Sequence, residues 1–149
     1  MSEKALQRRL LTVMRGHWVA HKHNDAMPGV PDLSFTIPAN SSVRGHGCVV
    51  DGWLELKYAP ISKRATTVVR FDTRSWAAQK IWMRKRGGAG ANIWVLAQVG
   101  DVYILLYWRN AVVLLGAVPL ADLIGHGGVY WPRFPAAEQL VSALRGDTE

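Results

Sequence analysis

A single cysteine, Cys48, in 149 residues excludes an internal disulfide and any zinc or iron–sulfur centre built on several thiolates. That economy suits a reducing compartment. Acidic residues are also scarce. The chain has 11 Asp+Glu against 18 Lys+Arg, a formal charge of +7 that favours a polyanionic partner. No long apolar run is uninterrupted. The most apolar stretch, Val102 to Ile124, contains Arg109, Asn110, Gly116, Pro119 and Asp122, so neither half is long enough to span a bilayer. Its surplus of apolar residues points instead to core plus an interface, with a homodimer through this region. The N-terminus places Glu3, Lys4, Arg8 and Arg9 where a secretory signal would need an apolar core, which predicts a cytoplasmic protein. No internal repeat or low-complexity tract is present. Against these absences stand 49% hydrophobic residues and seven tryptophans, enough for one packed domain over residues 1–149.

Hydrophobic periodicity predicts the elements. Ser2 to Arg15 reads as an amphipathic helix with Leu6, Leu10, Val13 and Met14 at helical spacing, ended by Gly16. Residues 18–23 have some β character. Pro31 to Ile37 and Cys48 to Tyr58 alternate as strands, separated by a polar, glycine-rich loop expected to be mobile. Thr73 to Arg86 reads as a helix stopped by Gly87 to Gly90. Asn92–Val99 and Val102–Trp108 form a strand pair around Gly100-Asp101. The tail offers an apolar strand (Ala111–Leu115), a short helix near 120–124 and a last helix from Ala136 to Arg145. The order is that of a mixed α/β domain, with a core at about 2–108 and an apolar appendage at about 109–149.

In the strand Val50-Asp51-Gly52-Trp53-Leu54-Glu55-Leu56-Lys57-Tyr58, Leu54, Leu56 and Tyr58 share one side, and Trp53, Glu55 and Lys57 the other. An acid and a base on one face of an apolar strand are costly to bury unless paired or bound to a metal. If the preceding strand pairs with this one, Asp32 converges on Glu55. Two neighbouring carboxylates repel each other, and a hard divalent cation relieves that repulsion. Mg²⁺ is often held by one or two carboxylates plus substrate phosphate. Lys57 then stands where it can orient water or neutralise charge on a phosphate oxygen. The bland alternative is a solvent-facing Glu55–Lys57 pair on an edge strand, worth a few tenths of a kcal/mol.

Met27-Pro28-Gly29-Val30-Pro31-Asp32-Leu33, then Trp53-Leu54-Glu55-Leu56-Lys57, then a helix bearing Ser75 and Gln79, together resemble the PD-(D/E)XK nuclease superfamily. The chain looks most like its VRR-NUC (virus-type replication-repair nuclease) branch, over roughly residues 3–107. The resemblance implies a restriction-endonuclease-like α-β-β-β-α-β core with a mixed central sheet flanked by helices. It also implies a metal-dependent DNA endonuclease that attacks a phosphodiester in line with water. Asp32, Glu55 and the main-chain carbonyl of Leu56 would hold Mg²⁺ or Mn²⁺. Lys57 would act on the attacking water and Gln79 would line the site. Glu3 is the one candidate for an additional acid on the first helix, a position equally suited to complementing the helix dipole.

Charge agrees. Between Lys57 and Arg86 stand nine basic residues and one acid, Asp72, with Lys63, Arg64, Arg70, Arg74, Lys80 and Arg84 as the expected DNA contacts. His17, His21 and His23 are spaced to reach phosphate or serve as an auxiliary base, but no Cys or acid cluster completes a zinc site with them. His46 and His126 fall in glycine-rich stretches and are expected to be exposed. Trp53 and Trp76 are the tryptophans nearest the site. Two other classes stay open: a non-catalytic nucleic-acid-binding module, and a regulatory subunit docking through Val102 to Ile124. A dimer would present two sites, as a Holliday-junction-resolving enzyme of replication, recombination or repair requires, and the family resemblance together with the compact length implies a bacterial or phage-infected host.

Overall fold

The computed structural model describes residues 2–23, 28–39, 48–71, 75–126 and 128–146. Helix α1 (Glu3–Val13) starts at Ser2, whose hydroxyl accepts the Ala5 N–H at 3.1 Å. Leu6, Leu10 and Met14 recur every fourth residue and are all buried, and Gly16, at φ +83°, turns the chain away. Strands β1 (Val19–Lys22), β2 (Leu33–Ile37), β3 (Val50–Ala59), β4 (Ile93–Val99), β5 (Val102–Tyr107) and β6 (Gly128–Trp131) lie side by side in chain order in one sheet. β3 and β4 run parallel; every other neighbouring pair is antiparallel. A parallel pair needs a crossover, and α2 (Trp76–Gly88) supplies it.

The sheet has two apolar faces, which is why its central strands read as nearly continuous hydrophobic runs. On one face Leu54, Leu56, Leu96 and Leu105 pack with α1 and with α5 (Ala137–Leu144). On the other Val95, Ala97, Ile104 and Leu106 pack with α2, α3 (Trp108–Leu114) and α4 (Leu120–His126). The architecture is therefore mixed α/β, a six-stranded mixed sheet flanked by helices. Among the described residues no helix is long and apolar enough to cross a membrane.

The structure departs from expectation at several points in the second half. Ala111–Leu115, expected as a strand, belongs to α3 and the turn after it. Trp108, Ala111, Val112 and Leu115 are buried while Arg109, Asn110 and Val113 are exposed, a helical period that the β-branched valines disguise. β6 was not anticipated. It sits beside β5, where a Cβ on Gly128 would lie 2.3 Å from the Leu105 carbonyl oxygen. Residues 109–149 are accordingly no appendage: they contribute an edge strand to the sheet and α5 to the core. The Val102–Ile124 stretch likewise contributes to the core. Leu106, Ala111, Val112, Leu115 and Leu123 are buried in this chain, while Val113 is exposed. Helix α2 also runs through Gly87, because the Trp108 indole fills the space a side chain there would need.

Candidate active site

The β2–β3 register pairs Leu33 with Leu54, which brings Asp32 level with Glu55 one step beyond the last pair. Asp32 precedes β2, and its Oδ2 accepts the Leu56 N–H at 2.8 Å, taking a bond that a longer β2 would have supplied from its backbone. The Asp32 main chain is fixed from the other side, its carbonyl accepting the His23 N–H at 2.9 Å. In a strand, the N–H and C=O of one residue leave on the same side. Trp53 N–H goes to Asn92 O on the β4 side, so the even-numbered residues of β3 face β2. The Leu56 carbonyl therefore points into the same gap as the Asp32 carboxylate.

Side chains of Glu55 and Lys57 rise from the opposite strand positions beneath α2. They are 1% and 2% exposed, on a strand paired along both edges. The solvent-facing edge pair is thus ruled out. Gln79, one turn into α2, bridges them. Its Nε2 donates to Glu55 Oε1 at 2.8 Å, and its Oε1 accepts from Lys57 Nζ at 2.6 Å. Lys57 Nζ stands 3.5 Å from the same Glu55 oxygen and 5.1 Å from the centre of the Trp76 ring. The ammonium is thus held by a carboxamide oxygen, a carboxyl oxygen and an aromatic face together.

Glu55 holds its proton far more tightly than an ordinary glutamate. Burial is the first cause and the charge of Asp32 the second; Lys57 pulls the other way, and a proton shared with Asp32 and the charge of Glu3 add to the rise. Glu3 is thus electrostatically coupled to the site from the first turn of α1. When Glu55 is ionised, its buried Oε2 accepts from no donor among the described residues. An orphaned carboxylate oxygen beside a second carboxylate and an inward main-chain carbonyl fits a hard cation that keeps several waters. Among the described residues no three His, Cys, Asp or Glu side chains cluster as a metal cage, so such an ion would have two carboxylate ligands.

Gly29, in the turn before Asp32, locks that turn to α2. At φ +87° it lies so close that a Cβ would sit 2.7 Å from the carbonyl oxygen of Ala78. Period two extends the polar face along the sheet. Ser34 and Thr36 follow Asp32 on β2, opposite Trp53 and Asp51. His23 Nε2 lies 2.8 Å from Ser34 Oγ, its ring 5.1 Å from that of Trp53. Ser34, Thr36 and Asp51 were not singled out from sequence, although the alternation from Asp32 onward carries them.

Asp32, Glu55, Lys57, Gln79 and the Leu56 carbonyl are therefore brought together. Lys63, Arg64, Arg70 and Arg84 are exposed, and Lys80 Nζ reaches to 5.9 Å from the Trp76 ring. Arg74, His46 and most of the glycine-rich loop lie outside the described residues. His17 and His21 are exposed, and His126 ends α4 rather than lying in a loop. No family model and no curated protein matches this chain.

Proposed function

We propose that this protein is a divalent-metal-dependent DNA endonuclease with a restriction-endonuclease-like core. One observation carries the reading: the buried Glu55 oxygen without a partner, set beside Asp32 on the face where Gln79 presents Lys57. The order α1-β1-β2-β3-α2-β4, with the acid pair at the β2–β3 junction, supports it. Asp32, Glu55 and the Leu56 carbonyl would hold Mg²⁺ or Mn²⁺. When bound, that ion would supply Lewis-acid polarisation of the phosphoryl group and lower the pKa of nearby water. Lys57 has three N–H donors; Gln79 takes one and Glu55 draws another, leaving a third for water or a phosphate oxygen as charge builds. Gln79 positions both groups and needs no change of protonation. Exposed Lys63, Arg64, Arg70 and Arg84 would track the phosphate backbone.

Cleavage of labelled duplex, single-stranded and four-way-junction DNA, with Mg²⁺, Mn²⁺ or EDTA, tests the reading. Metal-dependent cutting, abolished in Glu55→Ala and Lys57→Ala while binding persists, is the expected result. Paired nicks on the junction would add a resolving dimer. The near-complete burial of Glu55 and Lys57 favours one rival, a non-catalytic nucleic-acid-binding module whose charged pair is structural. Salt-sensitive binding without cutting under any metal would establish that rival.

A further inference from the structure

Beyond Trp53, along the same strands, the sheet opens into a groove of about 420 Å³ lined by apolar Phe35, Trp53 and Ala91 and by polar His21, Ser34, Thr36, Asp51 and Asn92. At the rise of a strand it begins ~7 Å from Glu55 and reaches ~13 Å, to Asp51. That volume lies in the range of small-molecule sites.

We infer that this groove is a subsite for an unpaired nucleobase bearing an exocyclic amine, next to the phosphate held at Asp32 and Glu55. Its position beside the cut rests on the nuclease reading; its ligand chemistry does not. No lysine or arginine is among the described residues that line it. Its charged group is a carboxylate, and Thr36 Oγ1 donates to Asp51 Oδ1 at 2.6 Å, which fixes that carboxylate's direction. Asn92 donates to the Asp51 carbonyl oxygen at 3.1 Å and accepts from Trp94 Nε1 at 2.9 Å, which fixes its carboxamide and leaves it one N–H and one neutral lone pair. Asp51, exposed and with lone pairs beyond the one Thr36 uses, is the anionic acceptor and so the strongest. Carboxylates accept from the N4 amine of cytosine, and the amines of adenine and guanine offer the same donor, whereas thymine has no amine and presents only an N3–H flanked by two carbonyl oxygens that repel a carboxylate. Such an edge enters a groove in the protein only when the base is unpaired and turned out of its stack. Basic residues 63, 64 and 70 follow the other end of β3, so the backbone and the base would engage opposite ends of the same strand.

Anisotropy of labelled dC12 and dT12 in EDTA at pH 8, where nothing is cut, tests the subsite. Wild type should bind dC12 about tenfold more tightly, the lower end of what one hydrogen bond to a charged group contributes. Asp51→Ala should abolish the preference by weakening dC12 alone. Thr36→Val, which frees the carboxylate to turn, should reduce it. Equal binding of the two oligonucleotides by wild type, or a preference that survives Asp51→Ala in folded protein, overturns the inference. Cleavage separates the two proposals. An Asp51-dependent preference without metal-dependent cutting keeps the subsite and removes the nuclease, while cutting without the preference does the reverse.

Discussion

The Lys57 ammonium is fixed by a neutral partner: it donates to the Gln79 carboxamide oxygen at 2.6 Å, while the nitrogen of the same carboxamide donates to Glu55 at 2.8 Å. A carboxamide can do both at once because it carries a donor and an acceptor on one planar group. A carboxylate at position 79 could not.

Gln79→Leu keeps the volume of the side chain and removes both bonds, leaving a buried acceptor and a buried donor short of partners. It should lower stability by about 1–3 kcal/mol, read as a drop in the denaturation midpoint with an unchanged slope. Gln79→Glu keeps a partner for Lys57 but sets a second anion against Glu55. It should restore much of the stability while leaving metal-dependent cleavage depressed. Equal cleavage by the two variants and wild type would remove Gln79 from the site.

The raised proton affinity of Glu55 has a sign for stability. The folded state binds that proton more tightly than the unfolded chain, so the contribution of Glu55 is fully present below its ordinary value of 4.5 and is lost as pH rises through the folded value. Thermal melts in EDTA should therefore fall as pH increases from 4.5, and Glu55→Gln should flatten that fall. Mg²⁺ works the other way, since it binds the deprotonated folded form. At a hundredfold excess over its Kd it should restore ~2.7 kcal/mol, increasingly so at higher pH, and not in Glu55→Gln.

Most of the acid–base constellation was legible because it needs only two local facts: period two along β3, and the placement of Asp32 at the head of the preceding strand. Both survive translation into a fold, since a β2–β3 pair in register must bring 32 level with 55. The bridging role of Gln79 was not legible. Helical spacing puts position 79 on the buried side of α2, but which side chains it meets depends on the crossover between β3 and β4. The second half misled for a different reason. Val112 and Val113 are strand-prone residues in a helix, because tertiary packing of Trp108, Ala111, Val112 and Leu115 overrides propensity. β6 is too short, and too close to glycines, for its alternation to stand out.

Gly29 and Gly88 provide a matched pair of alanine substitutions around α2. At Gly29 the backbone is left-handed and a Cβ would strike Ala78, the residue before Gln79. Gly29→Ala should cost about 2–4 kcal/mol from backbone conformation and overpacking together, and should shift the Asp32 turn against α2. Its effect on cleavage should appear in kcat more than KM. Gly88→Ala meets nothing within 4 Å and should instead stabilise the helix by roughly 0.5–1 kcal/mol, with cleavage unchanged. Chemical denaturation and steady-state cleavage of both variants check the contrast.

If the exposed bases after β3 and on α2 carry the phosphate backbone, their removal should be visible in salt dependence rather than in base preference. Each duplex phosphate contact contributes about −0.9 to the slope of log K against log salt. Lys63→Ala with Arg64→Ala should therefore make the slope shallower by about 1.8, and Arg84→Ala by about 0.9. Arg133, which follows β6 at the far edge of the sheet, is exposed and equally charged. Arg133→Ala lowers the net charge by the same amount as Arg84→Ala, so a nonspecific charge effect predicts equal changes. A slope altered by Arg84→Ala and not by Arg133→Ala locates the nucleic acid on the α2 side of the sheet. Equal slopes would mean that the +7 charge acts only as a diffuse field.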